Sequence, residues 1–306
     1  MRPAPAVSRP GAGVRVTVRA LLEASVAKLE RAGVSYGHGT TNALDEAAWL
    51  ILRSLGLPPT DLNSHLDDAL TAAQSTAAKK LIDRRIRTRK PAAYLLHEAW
   101  LGSHRFYVDE RVIVPRSYIA ELLNRGQTPR SAARNAESVP GSVLDLCSGS
   151  GCLAILAALR WPGAMVDAAD ISADALEVAK RNVRDYKLED RVRLVRSDLF
   201  AALAGREYDL IVSNPPYVKA SSMARLPEEY RKEPGMALAS GIDGLDHTRA
   251  ILREAKRHLN RGGTLIVEIG RNRKALEKAF PTLAFEWPKT SGGRGYLFTL
   301  GRESLP

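Results

Sequence analysis

From Ser142 onward, short apolar runs alternate with segments of helical spacing, and this alternation restricts the fold more than any other feature of the chain. Residues 143–146, 165–169, 192–196, 208–213 and 264–269 read as strands. Helical segments fall between them at 152–160, 172–186 and 248–260, and another follows at 273–280; Ser172 is placed to cap the second. Gly262 and Gly263 mark a turn before the most apolar run, and residues 283–286 and 296–300 read as closing strands. Parallel strands need a crossover, usually a helix. The pattern therefore calls for an α/β fold with a doubly wound, largely parallel sheet. Ligands of such sheets bind at the carboxyl ends of the strands, near the point where strand order switches.

The first third of the chain has a helical rhythm instead. Val18, Leu22, Val26 and Leu29 share one face of a helix that Gly33 can end. Asn42 can cap a second helix, and a third runs over 71–89 with Ala78, Leu81, Ile82 and Ile86 inward. Its end carries Arg84, Arg85, Arg87 and Arg89. These read either as a solvated helix end suited to the dipole or as a polyanion contact. Residues 98–101 and 105–108 read as a hairpin around Gly102-Ser103. A third strand is expected at 111–114, and a helix from Ser117 to Leu123. The expected division is a disordered extension over 1–16, a helical domain over 17–97, a hairpin and linker over 98–140, and the α/β domain over 141–306.

Lys and Arg total 45 against 34 Asp and Glu, a net charge of +11. That surplus favours an anionic partner or a substrate that lives with RNA. There is no apolar run of membrane-spanning length. Two cysteines, Cys147 and Cys152, exclude a disulfide framework and a four-cysteine zinc site. Reduced thiols and a cytoplasmic location are expected, with no metal.

Asp145-Leu146-Cys147-Ser148-Gly149-Ser150-Gly151 follows the first strand and opens a helix. Its glycines let backbone approach a ligand closely. A nicotinamide dinucleotide and S-adenosylmethionine both suit such a loop. Asp145 favours the second, because a carboxylate repels a pyrophosphate and attracts a sulfonium and an ammonium. Asp170, ending the next strand, can accept from ribose hydroxyls. Asp198, after the third, can accept from an adenine amino group while the Leu199 N–H donates to the ring. Asn214-Pro215-Pro216-Tyr217 follows the fourth strand in the same row. An amide or aromatic amine nitrogen has a delocalised lone pair and no proton a base can usefully remove at neutral pH. A site can hold its two N–H groups with acceptors, here the Asn214 side-chain carbonyl and the Pro215 C=O. Tyr217 can pack on the flat group.

These residues resemble the class I S-adenosylmethionine-dependent methyltransferases. Asn-Pro-Pro-Tyr narrows the resemblance to enzymes that methylate planar nitrogens. Val112-Ile113-Val114-Pro115-Arg116, about a hundred residues before Asn214, with the helical N-terminal part, resembles the protein-glutamine methyltransferase family. That family has an arm acting on release factors and an arm acting on ribosomal protein three of the large subunit. The release-factor arm usually has glycine where Cys147 stands, proline where Ser117 stands and tryptophan where Leu199 stands. The stretches 94–114 and 226–234 look like the ribosomal-protein arm. The resemblance implies a Rossmann-like sheet with an antiparallel last strand, and glutamine methylation of that ribosomal protein. It implies cofactor contacts at Asp145, Cys147, Gly149, Ser150, Gly151, Asp170, Ile171, Asp198, Leu199 and Asn214. Asn214, Pro215, Pro216 and Tyr217 would form the catalytic loop. A release-factor glutamine methyltransferase and a nucleic-acid adenine methyltransferase are the alternatives. The second lacks a separate base-reading domain here.

Overall fold

The computed structural model describes residues 16–125 and 139–306. All of the expected extension but Val16, and most of the expected linker, lie outside them. The chain forms two compact units, divided between Leu96 and His97.

The first unit is helical: α1 (Val18–Arg31), α2 (Ala43–Ser54), α3 (Leu62–His65), α4 (Ala72–Thr88) and α5 (Ala92–Leu96). Three of these helices, α1, α2 and α4, begin where a side chain meets the free N–H groups of the first turn. Thr17 accepts from Ala20 N–H and Asn42 from Asp45 N–H, while Thr71 and Gln74 form a capping box. Leu21, Leu29, Leu50, Ile51 and Ile82 fill the core. Leu81 and Ile86, expected inward, are only half-buried, and the buried positions between them belong to Ile82 and to Arg85. Its Nε donates to Glu46 Oε1 at 2.7 Å and Nη2 to the Ser35 carbonyl at 2.8 Å. Burial pushes the Glu46 carboxyl up. Arg89, with left-handed backbone (φ 56°), donates to the Ala32 and Gly33 carbonyls that close α1. The basic run is therefore not one solvent-facing patch. Arg85 and Arg89 are spent inside the unit, and Arg84 and Arg87 are exposed.

The second unit opens with a hairpin, β1 (Ala99–Leu101) and β2 (His104–Phe106), then α6 (Ile119–Arg125), β3 (Ser142–Leu146), α7 (Cys152–Arg160), β4 (Met165–Asp170), α8 (Ala173–Asp185), β5 (Val192–Arg196) and β6 (Tyr208–Ser213). It continues through α9 (Ala220–Met223), α10 (Asp246–Glu254), β7 (Leu259–Glu268), α11 (Arg273–Ala279), β8 (Lys289–Thr290), β9 (Gly293–Arg294) and β10 (Leu297–Gly301). The main sheet has the order β10-β7-β6-β3-β4-β5. All its pairings are parallel except β10 on β7. This is the doubly wound, Rossmann-like sheet with an antiparallel last strand. Separate apolar layers cover its two faces, one built on α6, α7 and α8 and one on α10 and α11. The chain runs outward from β3 through β4 to β5, then returns to the other side of β3 as β6. The order switches there, so the carboxyl ends of β3 and β6 flank a crevice.

Three expectations fail locally. Residues 111–114 join no ladder: Val112 and Val114 are buried, but the Val114 N–H donates to Glu233 Oε1 at 2.9 Å and Pro115 follows. Residues 283–286, bracketed by Pro281 and Pro288, make a single bridge, Glu286 to Thr299. Gly262 and Gly263 form a bulge inside β7, where Tyr208 faces Leu259 and Leu210 faces Thr264. A Cβ at Gly263 would lie 2.8 Å from the Asn260 carbonyl oxygen, so the bulge needs glycine there.

Candidate active site

A cleft of about 320 Å³ lies over the carboxyl ends of β3, β4, β5 and β6. Its floor is the loop after β3. Gly149 and Gly151 take left-handed backbone, and so does Cys147 at φ 61°. A non-glycine residue there is uncommon and costs roughly 1 kcal/mol or more. A Cβ at Gly151 would come within 3.1 Å of Ala179, so the loop can lie close on α8 only with glycine at that position.

Cys147, Gly149, Asp170, Ile171, Asp198, Leu199, Asn214 and Pro216 all line this cleft. Asp170 grips both sides of it: Oδ2 accepts from Gly149 N–H at 2.8 Å and Oδ1 from Ser172 N–H at 2.9 Å. Burial raises its pKa against the pull of those bonds. Its remaining lone pairs suit hydroxyl donors. Asp198 is exposed, and Leu199 beside it is again left-handed, at φ 46°. The Cys147 thiol is pushed well up by burial and by nearby Asp170, so it is no nucleophile.

Asp145 is expected to attract the cofactor directly or through water. It is instead buried under the loop and does not line the cleft. Its Oδ2 accepts from the Ala154 N–H at 2.9 Å, in the first turn of α7. Gly151, the N-cap, has no side chain to satisfy those amides, so Asp145 replaces the missing cap from the strand. Burial pushes its carboxyl up to about 8. Ser150 is likewise inside, its Oγ 3.0 Å from Cys152 Sγ.

The loop after β6 divides two cavities. Asn214 lines the first cleft and also a second, of about 200 Å³, with Pro215 and Tyr217. Its Nδ2 donates to the Arg116 carbonyl at 3.4 Å. That carbonyl only accepts, so it turns the amide nitrogen toward itself and the oxygen away. Asn214 Oδ1 is buried and has no partner. The loop is backed tightly. Asn272 Nδ2 donates to the Tyr217 carbonyl at 2.8 Å, and a Cβ at Gly270 would lie 2.8 Å from the Tyr217 ring.

Several pairings in the site carry no local sequence signal. Arg116 forms a two-pronged pair with Glu233, both bonds 2.6 Å, and Glu233 lies 117 positions away. Glu268 accepts from Ser117 Oγ and Tyr118 N–H. His247 lines the cleft from the start of α10, its Nδ1 2.8 Å from Ser240 Oγ. Among the described residues no group of three or more His, Cys, Asp or Glu is placed to hold a metal ion.

The profile of the "Methyltransferase small domain" family matches residues 133–230, and that of the "PrmC N-terminal domain" matches residues 20–96. A protein of Neisseria meningitidis serogroup B named ribosomal protein uL3 glutamine methyltransferase is 53% identical over 289 residues, 94% of each chain. Proteins of the same name from Burkholderia pseudomallei and Bradyrhizobium diazoefficiens are 50% and 46% identical, over 95% and 99% of this chain and 96% of each relative. Although about half of the positions differ, the similarity covers 94–99% of the chain and so spans both units, and the chain belongs to the family of ribosomal protein uL3 glutamine methyltransferases.

Proposed function

We propose that the protein transfers a methyl group from S-adenosylmethionine to the side-chain amide nitrogen of a glutamine in ribosomal protein uL3, in the cytoplasm. The carrying observation is Asn214 Oδ1, a buried acceptor without a partner, on a residue that lines both cavities. An unpaired buried carbonyl oxygen costs free energy, so its retention supports an arriving donor. The primary amide of a glutamine carries that donor.

The cleft suits the cofactor: its acids fit hydroxyl and amino donors. When bound, S-adenosylmethionine supplies an electrophilic methyl. Asp170 accepts from the ribose hydroxyls, and Asp198 with the Leu199 N–H holds the adenine edge. Gly149 and Gly151 let the loop lie close, with Cys147 and Ile171 as apolar walls. Asn214 Oδ1 and the Pro215 carbonyl hold the two amide N–H groups of the acceptor, and Tyr217 packs on its plane. Pro215 and Pro216 stiffen the loop. Catalysis is orientation and exclusion of water, with no covalent intermediate. Asp145 shapes the loop and does not touch the cofactor.

The names of the relatives support uL3 as substrate, as do the departures from the release-factor pattern at Cys147, Ser117 and Leu199. Arg84 and Arg87 remain to meet ribosomal RNA, and neutralising both should flatten the salt dependence of methylation. Among the described residues no helix is long and apolar enough to cross a membrane. The test offers uL3, a release factor and duplex DNA to the enzyme with labelled cofactor, with peptides mapped by mass spectrometry. One methyl on one uL3 glutamine is expected. Preferential label on a release-factor glutamine would move the substrate to the other arm, and label in adenine would overturn the protein-substrate reading.

A further inference from the structure

We propose that Glu268 and Ser117 are positioning residues for methyl transfer, acting through the Arg116 carbonyl on the amide of Asn214. The inference rests on the reading that Asn214 holds the acceptor amide.

Residues 114–118 cross the site as a strap that forms no ladder. Two buried carboxylates grip it, each from a distant part of the chain. At one end Glu233 takes the Val114 N–H at 2.9 Å and both prongs of the Arg116 guanidinium at 2.6 Å. At the other end a single oxygen, Glu268 Oε2, takes the Ser117 hydroxyl at 2.7 Å and the Tyr118 N–H at 2.9 Å. The Arg116 carbonyl lies between the two grips and is the group that receives Asn214 Nδ2. The amide of Asn214 has two orientations of similar shape. Only the one with its nitrogen on this carbonyl presents oxygen to an incoming N–H. A shift of the strap would release that choice without touching the cofactor cleft, since neither Ser117 nor Glu268 lines it. Ser117 and Glu268 instead border a separate cavity of about 540 Å³ with Arg116 and Tyr217. Glu268 is 3% exposed, and an acid buried to this depth needs its hydrogen bonds. Those bonds go to the strap.

The test is a double-mutant cycle of Ser117→Ala and Asn214→Ala, with Glu268→Gln alongside, read by single-turnover methyl transfer to uL3, cofactor Kd and Tm. Ser117→Ala alone should lower the transfer rate about tenfold, a typical coupling within one hydrogen-bonded network. Cofactor Kd and the KM for uL3 should stay near wild type, and Tm should fall only by the few degrees that one hydrogen bond to buried Glu268 is worth. Glu268→Gln keeps an acceptor oxygen and should lose less than Glu268→Ala. With Asn214 already replaced, Ser117→Ala should cost nothing further. The same fold loss in both backgrounds would show that the strap acts elsewhere and would overturn the proposal. So would a change confined to the KM for uL3, which would make these residues substrate contacts, or parallel losses of cofactor affinity and Tm, which would make them structural. Wild-type transfer by Asn214→Ala itself would instead remove the underlying reading.

Discussion

Replacing Asn214 by alanine should separate turnover from stability. In the free protein Asn214 Oδ1 is buried and unpartnered, a condition that costs about 1–3 kcal/mol. Its Nδ2 bond to the Arg116 carbonyl is long, at 3.4 Å, and returns about 0.5 kcal/mol. The side chain stands between two open cavities, so truncation leaves no sealed void. Asn214→Ala should therefore be as stable as the wild type or more stable, by up to about 2 kcal/mol. Most core truncations are destabilising by contrast. Turnover should fall by two to four decades, about 3–5 kcal/mol of lost transition-state stabilisation. Cofactor affinity should move far less. Urea unfolding, calorimetry with the cofactor and single-turnover transfer to uL3 measure the three quantities. A variant destabilised by 2 kcal/mol or more, with activity lost in step, would show that Asn214 serves the fold and would refute the reasoning.

Asp170→Ala should weaken S-adenosylmethionine binding by about 1.5–3 kcal/mol, the cost of losing charge-assisted hydrogen bonds, as read by calorimetry. Tight binding of NADH by the wild type would reject the cofactor assignment. Asp145 supplies the pH test. Its carboxyl sits near 8 in the folded chain against an ordinary 3.8, because burial disfavours the charged form. Its contribution to stability is therefore full below about 3.8 and declines by about 1.4 kcal/mol per pH unit as pH rises toward 8. Between pH 5 and pH 7 that loss is about 3 kcal/mol. Asp145→Asn should flatten this dependence in urea titrations at the two pH values. An unchanged pH slope would mean that Asp145 is ionised and faces the cleft after all.

Periodicity and caps suffice to read the sheet and most helices, because apolar runs, helical spacing and capping side chains are local signals: Asn42, Thr71 and Ser172 each cap a helix. The misreadings came where backbone bonds leave the ladder. Residues 111–114 have a strand's burial pattern, but their partner is the side chain of Glu233. The row of acids at strand ends was legible as a row, but the role of Asp145 was not. The sequence shows that an acid precedes the glycines and hides that Gly151 leaves the next helix uncapped. Arg85 reads as one more cation in a basic run until Glu46 is found beside it, 39 positions away.

The two grips on the strap set the order in which the site can come into being during synthesis. Arg116 meets a partner 117 residues downstream, and Ser117 one 151 residues downstream. At about 5–20 residues per second, Glu268 leaves the ribosome roughly 8–30 s after Ser117 does. Until then one end of the strap has nothing to close on, even though the Asn-Pro-Pro-Tyr loop has already been made. A nascent chain halted between β6 and β7 carries the loop motif without the device that orients it. With the strap as the orienting device, an enzyme whose substrate is made by the same machinery becomes competent only after Glu268 has emerged.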